Sequence, residues 1–300
     1  MATRRRGGST EQVLVAGAGA MGSQIAVVCA LAGLEVGLYD VDPAMLTRAD
    51  RELRDRMSKQ IAKGRRTAAE VDDAFARLRM DTALSALTGV DLVIEAVVEK
   101  LEVKRALFAE LDQRCPPGTI LASNSSSFVP SQMAHATARP DRFVNLHFFN
   151  PALVMRCVEV VRGPETSDAT VEAAIDLVER IGKLPVVLDR EIPGFVANRI
   201  LNAVRDEAIG LLEGGYASIE AIDTACRTAL GYPMGPFELM DLTGIDIGYL
   251  TKQARFEETG DPADAPSATV RAKVEAGHLG RKTGRGFYTY DEHGNRTRPT

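Results

Sequence analysis

A glycine-rich turn near the start of the chain constrains its fold more than any other segment. Residues 13–22 read VLVAGAGAMG, so Gly17, Gly19 and Gly22 separate a short apolar run from a stretch of small and apolar residues. The run Val13–Ala16 predicts a strand buried on both faces, and the residues after the glycines predict a helix. In such a unit the glycines permit a tight turn, the approach of a pyrophosphate and close helix packing. The segment therefore predicts a dinucleotide-binding βα unit.

An acidic residue follows this turn at the spacing of a dinucleotide-binding fingerprint. Glu35–Tyr39 predicts a second strand, and Asp40 comes eighteen residues after Gly22. An acid at this distance binds the adenosine ribose hydroxyls. The helix begins near Ala20 and Met21, and the exposed N–H groups at its start bind the phosphate oxygens. A carboxylate repels a 2′-phosphate, so the sequence favours NAD over NADP. The alternative is a tight turn without a ligand, in which Asp40 only ends a strand.

Alternation of strands and helices continues for about 190 residues and then stops. Further short apolar strands are predicted at 91–96, 119–122, 143–149, 157–161 and 185–188. This alternation predicts a mostly parallel, Rossmann-like doubly wound sheet, whereas residues 194–256 have helical periodicity without a convincing strand. We therefore expect a Rossmann-like domain at 11–190, an all-α domain at 191–290, and flexible tails at 1–10 and 291–300.

Charge and cysteine content exclude several classes of protein. A net charge of −5 gives no overall basic field that would attract nucleic acid or an anionic membrane. The apolar runs are much shorter than the roughly 20 residues of a membrane span. The four cysteines show no CxxC or zinc-binding spacing, so no metal site is expected. Together these features predict a cytoplasmic protein.

A histidine and a glutamate lie on successive predicted strands, twelve residues apart. Alternation in FVNLHFF puts Asn145, His147 and Phe149 on one face, with His147 near the end of the strand where open α/β sheets bind ligands. An imidazole can take a hydroxyl proton near neutral pH. Glu159 stands in an apolar context, where a carboxylate needs a partner. The pattern predicts a His147–Glu159 hydrogen bond; the alternative is a core histidine with Glu159 facing solvent.

Two other polar segments are candidates for contacts with ligands. Residues 123–127 read SNSSS after a predicted strand, and their side chains either cap the next helix or bind substrate and nicotinamide. Asn198 stands early in the first helix of the second domain. Its side chain either caps that helix locally or donates to a substrate oxygen across an interdomain cleft.

These residues and their surroundings resemble the L-3-hydroxyacyl-CoA dehydrogenase family, particularly the bacterial 3-hydroxybutyryl-CoA type, from about residue 11 to residue 290. The motifs that carry the resemblance are GAGAMG (17–22), IEAVVE (94–99), SNSSS, HFFNP (147–151), VEVV (158–161), PGFVANR (193–199), YPMGPFEL (232–239) and KTGRGFY (282–288). HFFNP and YPMGPFEL in this order are highly specific, because general dinucleotide-binding proteins lack them.

The resemblance implies roles for particular residues. His147 would be the base and Glu159 its orienting carboxylate, while Ser126 and Asn198 would position the C3 oxygen and the thioester carbonyl. The NAD contacts that it implies are Asp40 at the ribose, and Glu99, Lys104, Ser126, Asn150 and Lys282. For coenzyme A it implies Lys63 and Lys104. Lys63 lies in the charged stretch 48–66, most of which is also typical of a solvated helix.

The sequence thus predicts reversible, NAD-dependent oxidation of a short-chain (S)-3-hydroxyacyl-CoA to a 3-oxoacyl-CoA, as in β-oxidation and fatty acid metabolism. The resemblance also implies a homodimer formed through the helical domain. Two alternatives stay open. One is an NAD-dependent dehydrogenase of a free hydroxy acid or sugar acid on the same scaffold. The other is a catalytically silent dinucleotide sensor or structural protein.

Overall fold

The chain forms two compact units that divide between Val196 and Ala197. The structure is a computed structural model and describes residues 10–84, 87 and 89–297. The division lies six residues beyond the boundary that we expected after residue 190. Residues 1–9 and 298–300 of the expected tails lie outside the described residues.

One eight-stranded sheet forms the centre of the first unit, with strands in the order β3-β2-β1-β4-β5-β6-β7-β8. The strands are β1 Gln12–Ala16, β2 Glu35–Tyr39, β3 Leu78–Asp81, β4 Leu92–Glu95, β5 Ile120–Ser123, β6 Phe143–Phe148, β7 Cys157–Arg162 and β8 Leu184–Leu188. All neighbours pair in parallel except β6 and β7, which are antiparallel. The mostly parallel, Rossmann-like sheet predicted from the sequence is confirmed.

Helices cover both faces of this sheet. They are α1 Ala20–Leu31, α2 Pro43–Ala62, α3 Ala68–Arg77, α4 Leu101–Arg114, α5 Ser131–Ala134 and α6 Asp168–Arg180. Alternation along β1 shows how the strands serve both layers: Val13 and Val15 pack in one core cluster and Leu14 in the other. This two-sided burial explains why the strands read as continuous apolar runs.

Two elements of the first unit, α3 and β3, were not expected from the sequence. The N-terminus of α3 carries a capping box, in which Thr67 Oγ accepts from the Glu70 N–H and Glu70 accepts from the Thr67 N–H. This Thr-x-x-Glu pattern is legible in the sequence, although the surrounding charged residues mask it. β3 is only four residues long and pairs with β2 at the edge of the sheet, so its apolar pattern is too short to be read.

The second unit is mainly helical, as predicted. The helices are α7 Ala197–Glu213, α8 Ile219–Thr228, α9 Pro236–Thr243, α10 Ile245–Thr259 and α11 Ala268–Glu275. Two buried aspartates hold the segment after α11 against them. Asp223 accepts a hydrogen bond from the Tyr288 hydroxyl, and Asp241 accepts from the Phe287 N–H and the Tyr290 hydroxyl. None of the described helices combines the length and the apolar character that a membrane span requires.

The structure differs from the expectation at both ends of this second unit. The first helix was expected from Gly194 but begins at Ala197, because Gly194 and Phe195 have positive φ angles of 78° and 48°, which a right-handed helix does not allow. The tail was expected to be flexible from residue 291. Instead β9 Thr289–Tyr290 and β10 Arg296–Thr297 form an antiparallel pair, closed by a turn in which Asp291 accepts backbone hydrogen bonds.

The three glycines of the first βα turn have different steric roles. Gly17 has a φ of 109°, and a Cβ there would lie 2.5 Å from the carbonyl oxygen of Ala96. A Cβ on Gly22 would overlap the carbonyl oxygen of Gly17, whereas a Cβ on Gly19 would meet nothing within 4 Å. Gly17 and Gly22 are therefore required by the fold itself, and Gly19 is not.

This difference predicts effects of very different size for two alanine substitutions. Gly22→Ala should lower the free energy of unfolding by about 3 kcal/mol, because backbone must move to relieve the overlap. Gly19→Ala should lower it by less than about 1 kcal/mol, since its backbone is already in a conformation open to alanine. Urea unfolding of both variants tests this, and equal losses would contradict it.

Candidate active site

The register of the antiparallel strands β6 and β7 places His147 directly opposite Glu159. Residues opposed in this way project from the same face with their Cβ atoms about 5 Å apart. The imidazole Nδ1 lies 2.8 Å from Glu159 Oε2, within hydrogen-bonding distance. The structure thus contains the contact that the twelve-residue spacing predicts, because the chain turns back between the two strands at residues 149–156.

Both members of the pair are buried, His147 at 5% exposure and Glu159 at 1%. A carboxylate in such a place is costly unless it is hydrogen-bonded. Glu159 Oε1 also accepts a hydrogen bond from the backbone N–H of Val196 at 3.0 Å. With a carboxylate beside Nδ1, the tautomer that satisfies both groups carries its proton on Nδ1. The lone pair is then on Nε2, which is the atom that can accept a proton.

Two aromatic rings flank the imidazole. The ring centroid of Phe149 lies 4.5 Å from that of His147, and the centroid of Phe195 lies 5.4 Å away. Phe195 is fully buried. These rings hold the imidazole in an environment of low dielectric constant, where its interaction with the Glu159 carboxylate is stronger than in water.

A second carboxylate cluster lies where β4 and β5 end. The side chain of Lys104 is 1% exposed, and its Nζ lies 2.6 Å from Glu95 Oε1 and 3.0 Å from Glu99 Oε2. Ser123 Oγ donates to Glu95 at 2.7 Å, and Ser125 Oγ donates to Glu99 at 2.5 Å. The buried ammonium and two hydroxyls therefore hold both acids in place.

The charge of Glu99 follows from these contacts. Burial alone raises the pKa of its carboxyl, but the Lys104 ammonium and hydrogen bonds from Ser125 and the Ser127 N–H outweigh that effect. The pKa of Glu99 is consequently below its usual range, and the carboxylate is ionised at neutral pH. Glu95 was not among the site residues predicted from the sequence. Its place directly after the apolar residues of DLVIEA could have indicated it, because a buried acid needs a partner.

The same cluster distinguishes between the polar residues of the SNSSS segment. Ser123 and Ser125 are engaged by acids, and Asn124 Oδ1 accepts from the Phe148 N–H at 2.9 Å, which joins the loop to β6. Ser126 is half-buried, and its hydroxyl has no hydrogen-bond partner among residues 10–84, 87 and 89–297. Within the segment, Ser126 is thus the half-buried hydroxyl left for a ligand.

The glycine-rich turn is suited to a dinucleotide. Asp40 Oδ2 accepts from the Ala18 N–H at 2.7 Å, so the acid at the end of β2 holds the turn. Gly19 is the N-cap residue of α1 and no side chain caps this helix. The N–H groups at the start of α1, including those of Ala20 and Met21, therefore remain available to phosphate oxygens.

The remaining predicted site residues lie outside these clusters. Lys63 is exposed and follows the last residue of α2, and Asn150 is exposed in the loop after β6. Asn198 and Lys282 belong to the second unit. Asn198 is the second residue of α7, and Lys282 Nζ forms an ion pair with Asp246 at 2.6 Å. The Lys282 ammonium, to which the resemblance assigns a contact with NAD, is thus already paired with a carboxylate.

Comparison with known proteins identifies the family. Residues 12–192 match the NAD binding domain of 3-hydroxyacyl-CoA dehydrogenase, and residues 194–290 match the C-terminal domain of the same family. The chain belongs to the 3-hydroxyacyl-CoA dehydrogenase family. The resemblance drawn from HFFNP, YPMGPFEL and the other motifs is confirmed.

Similar proteins extend over nearly the whole chain. A probable 3-hydroxybutyryl-CoA dehydrogenase of Bacillus subtilis is 40% identical, over 94% of this chain and 98% of the relative. The human mitochondrial hydroxyacyl-coenzyme A dehydrogenase is 40% identical, over 93% and 91%. The crystal structure of (S)-3-hydroxybutyryl-CoA dehydrogenase from Ralstonia eutropha is 38% identical, with a TM-score of 0.87 over 95% of this chain and 100% of that one.

The buried cluster at Lys104 predicts a large effect of one substitution on stability. Lys104→Met should lower the free energy of unfolding by about 3 kcal/mol, because it leaves the Glu95 charge buried without its counter-ion. The matched control is Lys59→Met on α2, where an exposed ion pair with Asp55 is lost and the unfolding midpoint should hardly change. Urea unfolding measures both, and a similar small effect at both sites would contradict the prediction.

Proposed function

We propose that His147 and Glu159 are the catalytic pair of an NAD-dependent 3-hydroxyacyl-CoA dehydrogenase. The reaction is the reversible oxidation of an (S)-3-hydroxyacyl-CoA to a 3-oxoacyl-CoA, which is the activity of the family to which the chain belongs. The single observation that carries the assignment is the 2.8 Å contact of the two buried side chains, in the same unit as the glycine-rich turn.

The part of the protein in this reaction is to remove the proton of the C3 hydroxyl and to hold it on His147. His147 Nε2 takes the proton of the C3 hydroxyl, and the imidazolium that forms is stabilised by the Glu159 carboxylate on Nδ1. When bound, NAD supplies the acceptor for the hydride that leaves C3. In the reverse direction His147 returns the proton to the C3 oxygen. Ser126 and Asn198 hold the C3 oxygen and the thioester carbonyl.

For the cofactor, we propose NAD rather than NADP. The carboxylate of Asp40 supports this, because it would bind ribose hydroxyls and repel a 2′-phosphate. The backbone of Gly17, Gly19 and Gly22 and the start of α1 would bind the pyrophosphate. Around the nicotinamide half we propose Glu99, Lys104, Ser126, Asn150 and Lys282, as the family resemblance implies.

For the substrate, we propose a short-chain acyl-CoA, since the Bacillus subtilis relative is named a probable 3-hydroxybutyryl-CoA dehydrogenase. Lys63 is exposed, so we propose that its ammonium binds a phosphate of coenzyme A. The ammonium of Lys104 is enclosed by two acids. Its geometry therefore supports a role in holding Glu99 better than a direct contact with coenzyme A.

We also propose a cytoplasmic homodimer that associates through the second unit. In that unit α7, α9 and α10 expose large apolar side chains, namely Ile200 (59%), Leu242 (46%), Ile247 (55%) and Leu250 (59%). Large apolar side chains exposed on neighbouring helices are typical of interaction surfaces. Free cysteines, of which Cys29 and Cys115 are buried, support a reducing compartment.

Substitution of the catalytic pair tests the proposed function. Reduction of acetoacetyl-CoA by NADH should slow about 10³-fold in His147→Gln and about 10²-fold in Glu159→Gln, because the proton donor or its orientation is lost. His135→Gln is the matched control, since His135 is 71% exposed and lies outside the site. Near wild-type rates in a folded His147→Gln variant would overturn the assignment. Turnover of free acids but not of thioesters would favour a dehydrogenase of a free hydroxy acid or sugar acid. Binding of NADH without any turnover would favour a catalytically silent dinucleotide sensor.

Replacement of the acid after β2 tests the choice of cofactor. Asp40→Ser should raise the KM for NADH and lower that for NADPH, each by about tenfold, because the repulsion of a 2′-phosphate is removed. Asp42→Ser is the control, because Asp42 caps α2 and its carboxylate accepts from the Ala44 N–H. Equal preference for the two cofactors in the wild-type protein would contradict the role of Asp40.

A further inference from the structure

Phe195 has a backbone conformation that aromatic residues rarely adopt. Its φ is 48°, and it is the one non-glycine residue with positive φ among residues 10–84, 87 and 89–297. Gly194 before it has a φ of 78°, so two left-handed residues follow each other. A left-handed conformation is disfavoured for a residue with a Cβ, and such outliers persist only where the surrounding structure imposes them.

The buried ring shows what imposes the conformation. Phe195 is fully buried and packs in a small cluster with Val129, Val161 and Leu188. Its ring centroid also lies 5.4 Å from that of His147. The turn is closed by a hydrogen bond from the Phe195 N–H to the Ile192 carbonyl at 3.0 Å. Burial of the ring therefore offsets the unfavourable backbone.

The conformation has a consequence for the catalytic pair. The residue after Phe195 is Val196, whose N–H donates to Glu159 Oε1 at 3.0 Å, while Glu159 Oε2 lies against His147 Nδ1. The φ and ψ angles of Phe195 set the direction of this N–H. An extended backbone at Phe195 would turn the following peptide group away from Glu159.

We propose that Phe195 is a positioning residue for the reaction: its buried ring holds a left-handed turn whose next N–H fixes the Glu159 carboxylate against His147. This inference rests on the proposed function. With one oxygen bound by the backbone and the other by the imidazole, the carboxylate keeps one orientation. The imidazole ring then keeps one orientation as well, and Nε2 faces the substrate without reorganisation.

A pair of substitutions separates the backbone from the ring. Phe195→Gly and Phe195→Ala both remove the ring, but glycine adopts the left-handed conformation readily and alanine does not. We expect kcat to fall in both variants and to be at least fivefold lower in Phe195→Ala than in Phe195→Gly. The KM for NADH should stay within twofold of the wild type, because the glycine-rich turn is untouched.

The control is an equally buried phenylalanine with an ordinary backbone. Phe237 is fully buried and lies at the second position of α9 in the second unit. There alanine suits the helix better than glycine, so the Ala variant should be the more stable of the two. The kcat per folded molecule should be the same in both Phe237 variants. Activities are compared per folded molecule, with folding followed by thermal unfolding. An Ala variant at 195 as active as the Gly variant would overturn the role of the left-handed turn.

A double-mutant cycle tests whether Phe195 acts through Glu159. In a Glu159→Ala background the Val196 N–H has no carboxylate to hold, so adding Phe195→Ala should change kcat less than twofold. A full additional loss in that background would show that the ring acts on His147 directly and would overturn the proposal. If Phe195→Ala does not fold, Phe195→Gly replaces it in the same cycle.

The outcomes for the two proposals are distinguishable. Failure of the positioning role leaves His147→Gln inactive and makes the effects of Phe195 and Glu159 additive. Failure of the proposed function leaves His147→Gln active, whatever the Phe195 variants do.

Discussion

The antiparallel pairing of β6 and β7 is the constraint on which the site depends. In a sheet whose other neighbours are parallel, this one reversal brings two residues twelve positions apart to directly opposite places. A shift of one residue in register would turn one side chain to the other face and leave a buried carboxylate unpaired. Because an unpaired buried charge costs several kcal/mol, the His147–Glu159 contact and the register support each other.

The cluster at the ends of β4 and β5 follows the same logic. Lys104 reaches from α4 to Glu95 at the end of β4, and Ser123 at the end of β5 donates to the same acid. These contacts set the position of the loop that carries Ser126, and Asn124 joins that loop to the end of β6. The hydrogen bond from the Phe148 N–H to Asn124 Oδ1 therefore ties the loop of Ser126 to the strand of His147.

Much of this could be predicted from the sequence, because the signals are local. The glycine-rich turn, the strands and the facing of His147 and Glu159 follow from patterns of a few residues. Other features depend on tertiary contacts that no local sequence pattern encodes. The partner of Glu95 is nine residues away on a helix, and the left-handed backbone of Phe195 is imposed by residues from three other segments. The phenylalanine at position 195 gives no indication of a positive φ. The sequence therefore predicts a helix where the structure has a turn.

One feature is common to the acids in the first unit that we assign to the site: each accepts a hydrogen bond from the main chain. The acid–amide pairs are Asp40 with Ala18, Glu95 with Val97, Glu99 with Ser127, and Glu159 with Val196. A main-chain donor moves less than a side-chain donor, so each carboxylate is held before any ligand arrives. Fixed charges of this kind stabilise a transition state without the cost of reorganising the groups around it. A loop that changes its backbone conformation would therefore alter the chemistry of the site even when every reacting side chain is unchanged.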